Sequence, residues 1–206
     1  MYIFKCRDYQ KGVIAFYKKW VKSLLAGDPY QANIVLRWSR RSGKDCLAIY
    51  LSSFLVFIKP GAIVHYILHR KSIAIELMET LIGNTTYKYR DIFYCSIENI
   101  NRNTGIIRFS NGSQICLLSG SKAQHDISSL VGVSADMVIY SEFSRQDPLI
   151  YKYQRPAILE KRALCMFVST PIASNDHFHD LHRFYDNDRF KDTWLFSHKT
   201  NDDTKA

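Results

Sequence analysis

Short apolar runs alternate along this chain with longer stretches in which apolar residues recur every third or fourth position. The runs Asn33 to Trp38, Ala62 to His69, Met137 to Tyr140, Leu164 to Ser169 and Trp194 to Ser197 are apolar nearly throughout. That is the pattern of strands buried on both faces. Tyr9, Val13, Phe16, Tyr17 and Trp20 set an amphipathic helix, or a helix pair, within Tyr2 to Lys22, broken by Gly27-Asp28-Pro29. A second helix is expected from Lys44 or Asp45 to the stop at Lys59-Pro60-Gly61. Others are expected over Lys71 to Ile82, over Leu149 to Lys161 (kinked or begun at Pro156), and over His177 to Tyr185. Ile106 to Phe109 and Gln114 to Leu118 flank Asn111-Gly112, a hairpin signal. Residues 84–104 show no clear period, and Ser119 to Gly132 reads as a loop or short helix.

Strands alternating with helices imply a mostly parallel sheet covered by helices on both faces, an α/β domain of three layers. Residues 1–206 read as a single domain, with a helical N-terminal segment at 1–30 and a loose polar tail at 200–206. Internal repeats and low-complexity segments are absent from the sequence. On such a sheet chemistry collects at the carboxyl ends of strands. The stretches of interest therefore follow Trp38, His69, Tyr140 and Val168.

Composition narrows the picture. The chain is 47% hydrophobic and 23% charged, as in an ordinary globular protein. Lys and Arg outnumber Asp and Glu by 28 to 19, a net charge of +9, which suits a polyanion partner or a phosphate site with a solvated face. Lys11, Lys18, Lys19 and Lys22 read as such a face. The five cysteines are widely spaced among apolar neighbours without a C-x-x-C pair, so they are expected to be reduced core residues. The N-terminus lacks the apolar region of a secretory signal. The longest uncharged run, Cys46 to Ile58, falls short of the roughly 20 residues of a membrane span, so a soluble chain is expected. His177, His179 and His182 do not share one helical face and are expected to be surface histidines rather than metal ligands.

The chemistry centres on Ser39-Arg40-Arg41-Ser42-Gly43-Lys44-Asp45, between the first apolar run and the helix after it. A strand, a turn and a helix in that order point backbone N–H groups and the helix's positive end into one small space that suits phosphate. Gly43-Lys44 is the core of a phosphate-binding loop, glycine allowing close approach and lysine reaching the outer phosphates. The strict pattern G-x-x-x-x-G-K-[ST] is departed from twice, by Trp38 at the first glycine and Asp45 at the hydroxyl position. By itself a Gly-Lys pair also fits a solvated basic turn, and the rest of the chain has to decide.

Val138-Ile139-Tyr140-Ser141-Glu142 ends a buried run in an acid. Phosphate-loop ATPases end such a strand in an acidic pair, one acid for magnesium and a following glutamate for the attacking water. Here Glu142 is present and Ser141 stands in the metal position. The departures at Asp45 and Ser141 therefore read as one exchange of a carboxylate for a hydroxyl, with Asp45 the principal magnesium ligand and Ser141 its partner beside the metal. Ser169-Thr170-Pro171 closes another strand with hydroxyls that suit a γ-phosphate sensor. Arg7-Asp8-Tyr9-Gln10 offers an amide and a ring for adenine.

Taken together these four segments resemble the ATPase domain of the large terminase subunit, the DNA-packaging motor of tailed bacteriophages. The resemblance runs over residues 7–171 in motif order. It implies a P-loop NTPase fold of the ASCE/RecA-like type, with ATP and Mg2+ as cofactors. Lys44 would hold the β- and γ-phosphates, Glu142 would activate water, and Arg40 would act from within the loop, with Arg41 the less favoured choice. Tyr9 and Gln10 would contact adenine, Ser39 to Asp45 would cradle the phosphates, and Ser169 and Thr170 would couple hydrolysis to movement. The resemblance also implies double-stranded DNA held through its phosphates, a portal and a small terminase subunit as partners, a ring of subunits, no membrane, and the host cytoplasm. Large terminases usually continue into a nuclease domain, which this chain is too short to hold, so DNA cleavage is not expected. Two other readings stay open: a nucleic-acid helicase or translocase, and a nucleotide-binding scaffold that does not hydrolyse.

Overall fold

A computed structural model describes residues 6–69, 76, 77, 79, 83, 95–120, 134–170 and 176–200. The first helix, α1 (Asp8–Leu25), starts where the Gln10 side-chain oxygen accepts the Arg7 N–H at 3.0 Å. As one helix rather than a pair, it buries Val13, Tyr17 and Trp20 of the expected stripe together with Val21, while Tyr9 and Phe16 are half-buried. The uncharged run becomes α2 (Lys44–Ile58), buried on most sides. Asp147 caps α3 (Pro148–Lys161) by accepting the Leu149 N–H at 3.0 Å. This helix neither begins at nor stops for Pro156; Pro148 takes the first-turn position, where a missing N–H costs nothing. The last helix, α4, is His177–Tyr185. Of the helix expected over Lys71 to Ile82, positions 76, 77 and 79 are helical, as is 83 beyond it, and the remainder lies outside the described residues. The segment expected between Ser119 and Gly132 lies almost wholly outside them too.

The eight strands are β1 (Ala32–Trp38), β2 (Ile63–Leu68), β3 (Ile97–Asn101), β4 (Ile106–Phe109), β5 (Gln114–Ser119), β6 (Met137–Ser141), β7 (Leu164–Ser169) and β8 (Trp194–Lys199). They form one sheet in the order β3-β4-β5-β2-β6-β7-β1-β8. From β5 to β8 all neighbours run parallel, while the expected β4–β5 hairpin is antiparallel and β3 extends it. Strand β3 was illegible in the pattern for a physical reason. It lies at the sheet edge with Glu98, Asn99 and Asn101 exposed, and its register shifts between Ile97 and Asn99, breaking the period-two alternation.

Alternate positions on the central strands feed two separate cores. Ile34, Leu36 and Trp38 of β1, with Ile139 and Met166, pack against α1 and α2. Val35, Tyr140, Cys165 and Phe167 point the other way, against Ile150 and Ile158 of α3 and Phe178 and Leu181 of α4. Helices therefore cover both faces, and the fold is the expected three-layer α/β type. Strand β7 lies between β1 and β6, so about 10 Å, two strand spacings, separates the ends that carry the phosphate-loop candidate and the acid.

The cysteines are not all the core residues expected. All five are free, and Cys95, Cys116 and Cys165 are buried, but Cys6 is only partly covered and Cys46 is exposed on α2. Burial pushes the Cys116 thiol up to about 11 and the Cys165 thiol higher still. No helix among the described residues is long and apolar enough to cross a membrane.

Candidate functional site

Trp38, where a strict phosphate loop has its first glycine, is fully buried. Its Nε1–H donates to the Ser197 hydroxyl at 2.9 Å, and the Tyr9 ring meets it edge-on at 5.0 Å. The strand thus ends against a fixed wall, and the loop begins at Ser39, whose N–H donates to the Lys199 carbonyl at 3.0 Å. Left-handed backbone at Arg41 (φ 62°) and Gly43 (φ 80°) turns the chain into the N-terminus of α2, the alternation that gathers N–H groups into an anion-binding concavity. Gly43 is required by that φ. Arg40 and Arg41 are exposed. The hydroxyls of Ser39 and Ser42 are buried without a hydrogen-bond partner among the described residues, as is that of Thr170.

The N-terminal segment supports this loop. The Tyr9 hydroxyl donates to the Ser42 carbonyl at 2.6 Å and accepts from the Arg7 guanidinium at 2.9 Å. Gln10, 2% exposed, rests its amide against Gly43, where an added Cβ would lie 3.4 Å from Nε2. The two candidate adenine contacts are thus also structural supports of the loop.

Lys44 brings the distant pieces together. Its side chain is 5% exposed, and Nζ lies 3.7 Å from Glu142 Oε1 and 3.7 Å from Asp45 Oδ2. A lysine that deep needs anionic partners. Glu142 is itself flanked by a second cation, with Arg145 Nε 4.0 Å from its Oε2. Its backbone is left-handed, at φ 54° and ψ 47°, a conformation that costs a non-glycine residue about 1–2 kcal/mol. The kink swings the carboxylate out of the line of β6 toward Lys44.

Ser141 is 6% exposed and lies beside the Tyr66 hydroxyl on the neighbouring strand β2. Burial first, then the nearby Asp45 carboxylate, push the Tyr66 hydroxyl well above the usual tyrosine range, so it stays protonated and can donate. The two residues of the expected exchange, Asp45 and Ser141, therefore share a neighbour. Asp45 and Glu142 both approach Lys44 Nζ, so two carboxylates face one space. The Asp45 carboxylate, with the Ser141 hydroxyl near the same Tyr66, fits Mg2+, which takes one or two carboxylates and fills its shell with phosphate oxygens and water. Among the described residues no larger group of His, Cys, Asp and Glu could hold a metal ion.

On the intervening strand, Ser169 joins the acid-bearing turn. Its Oγ accepts the Ser144 N–H at 3.2 Å and lies 2.5 Å from Ser144 Oγ, which also donates to the Thr170 carbonyl at 3.3 Å. Pro171 lies outside the described residues. Gln146 Nε2 donates to the carbonyls of Ile67 and Ser141 at 2.9 and 2.7 Å, tying the ends of β2 and β6.

The histidines on α4 differ from expectation. His177 and His179 are half-buried rather than on the surface. His177 Nε2 donates to the Phe143 carbonyl at 2.7 Å, and His179 Nδ1 accepts from Arg37 at 3.1 Å. The side chain of His182 lies outside the described residues. The residues missed from the sequence are thus Tyr66, Ser144, Arg145, Gln146 and His177. Ser144 and Arg145 closely follow Glu142 and were findable by proximity; Tyr66 and His177 carry no local signal.

No protein-family model and no curated protein matches the chain. Solved structures do. The large terminase ATPase domain of Thermus phage P74-26 aligns at a TM-score of 0.69 and 16% identity, covering 88% of this chain and 81% of that one. A large terminase from a second, thermophilic bacteriophage aligns at 0.68 and 13% identity, covering 97% of this chain and 47% of that one. The same terminase in complex with ATP-gamma-S aligns at 0.66 and 13% identity, over 96% of this chain and 45% of that one. This chain thus spans about half of that second terminase. Its fold is the one shared by the ATPase domains of phage large terminases.

Proposed function

We propose that this chain binds ATP at the loop 39–45 and hydrolyses it as the motor domain of a viral DNA-packaging machine. The observation that carries the reading is the convergence of Lys44 and Glu142 at 3.7 Å from opposite sides of β7. The likeness in fold to terminase ATPase domains, one of them in complex with ATP-gamma-S, supports it.

In this reading the backbone N–H groups of the loop and the buried Ser39 and Ser42 hydroxyls receive phosphate oxygens. Lys44 moves from Glu142 to the β- and γ-phosphates, which frees the carboxylate to orient and deprotonate the attacking water. Arg40 offsets charge on the transferred phosphoryl group, a role worth about 10³–10⁵ in rate where it operates. Mg2+, held by Asp45 with Ser141 beside it, would neutralise phosphate charge. Tyr9 and Gln10 contact adenine, so base recognition and loop geometry are linked through Ser42 and Gly43. Ser169 and Thr170 pass the state of the γ-phosphate to the Glu142 turn through Ser144.

Duplex DNA, a portal, a small terminase subunit and a homo-oligomeric ring are the proposed partners, in the host cytoplasm. The net charge of +9 supports a grip through DNA phosphates, which would weaken steeply with salt. The test is ATP hydrolysis with and without duplex DNA across a salt series. DNA-stimulated hydrolysis without strand separation supports the motor, and strand separation would favour a helicase. Nucleotide binding without turnover would favour the scaffold, the reading to which the paired departures at Asp45 and Ser141 lend weight.

A further inference from the structure

We infer that His177 is a positioning residue for Glu142, holding the left-handed turn that aims the carboxylate across β7 at Lys44. The inference rests on the reading above, in which Glu142 acts on the attacking water. Glu142 stands at the junction of β6 and a 3-10 turn, Phe143–Arg145, in a backbone conformation that side chains disfavour. Such a conformation persists only where the surroundings over-determine it. Two supports meet there. On one side Ser169 accepts the Ser144 N–H. On the other, His177 Nε2 reaches the Phe143 carbonyl at 2.7 Å, and since a carbonyl only accepts, that nitrogen carries a proton.

The His177 ring also closes on the Phe143 ring at 4.7 Å, nearly perpendicular. Phe143 in turn is 2% exposed, packed against Tyr140, Phe167 and Phe178. The residue after Glu142 is therefore gripped at its carbonyl and its side chain by one imidazole. That imidazole lies at the start of α4, the helix that follows the Ser169-Thr170 strand end. A shift of α4 would act on the Glu142 turn directly, separately from the Ser169–Ser144 link.

The test compares His177→Phe, which keeps a ring and loses the donor, with His177→Gln, which keeps an N–H. The Phe variant should lower kcat for ATP about 10²-fold, the effect of a displacement of about 1 Å at a reacting group, with KM and nucleotide affinity unchanged. The Gln variant should recover most of the loss. A second readout does not need turnover: amide exchange at Arg145 and Gln146, which bond back to Glu142 and Phe143 at 2.9 and 3.0 Å, should quicken in the Phe variant while β1 and β7 stay protected. Wild-type kcat and wild-type protection in His177→Phe would overturn the inference, as would equal damage in both variants. A wild-type protein without ATPase activity would count against the proposed function instead, and the exchange data would then decide the role of His177 alone.

Discussion

Lys44 Nζ lies 3.7 Å from Glu142 Oε1, although their strands are not neighbours and β7 runs between them. The lysine side chain is 5% exposed and its partner 25%, so this pair is the electrostatic centre of the carboxyl edge of the sheet. Replacing Lys44 with Ala removes the cation proposed to hold the outer phosphates. Nucleotide affinity should fall about 10- to 100-fold, the worth of a charge-assisted hydrogen bond of about 1.5–3 kcal/mol, as read by titration calorimetry.

Gly43 and Gly12 should respond in opposite directions to alanine. Gly43 has φ +80°, so Gly43→Ala should lose about 1–2 kcal/mol and weaken nucleotide binding by distorting the loop. Gly12 is exposed inside α1 with open space around its Cβ position, and Gly12→Ala should gain about 1 kcal/mol from helix propensity. Thermal unfolding reads both at about 2–4 °C per kcal/mol for a chain of this size.

The exchange of Asp45 and Ser141 is testable by a double-mutant cycle. The Tyr66 hydroxyl is influenced by both the Ser141 hydroxyl and the Asp45 carboxylate, so both residues border the same space. Asp45→Thr and Ser141→Asp should each lower magnesium-dependent hydrolysis, and the double variant should exceed the worse single. A double variant no better than the worse single would exclude the exchange.

His65 should make the fold acid-sensitive. It is 1% exposed, its Nδ1 has no hydrogen-bond partner among the described residues, and burial lowers its pKa from 6.5 to about 4. The unfolded chain therefore binds a proton that the folded chain refuses between those values. This contribution is intact above about pH 6.5 and declines as pH falls toward 4, by about 3 kcal/mol in all. The thermal midpoint of His65→Leu should fall less than that of the wild type between pH 7 and pH 4.5.

The fold was largely legible because its central strands are apolar nearly throughout and its helices carry clean stops, as at Lys59-Pro60-Gly61. The register that sets Lys44 against Glu142 was not legible. Motif order places both at strand ends, but only the position of β7 between them fixes the span that the lysine bridges. Trp38 departs from the strict phosphate-loop pattern because it is the last residue of β1, and the structure makes it the wall that Tyr9 and Ser197 lock in place. The roles of His177 and Tyr66 were not legible because each acts through a contact distant in sequence, with Phe143 and Ser141. Surface was expected for the α4 histidines because spacing reports on metal geometry and says nothing of a carbonyl on another element.

Single-turnover hydrolysis of ATP by Glu142→Gln, with magnesium and duplex DNA present, separates a catalytic Glu142 from a merely structural one. The carboxamide keeps the shape and loses the base, so ATP should bind with wild-type affinity and turn over about 10²- to 10⁴-fold more slowly. Wild-type turnover in that variant would contradict the account.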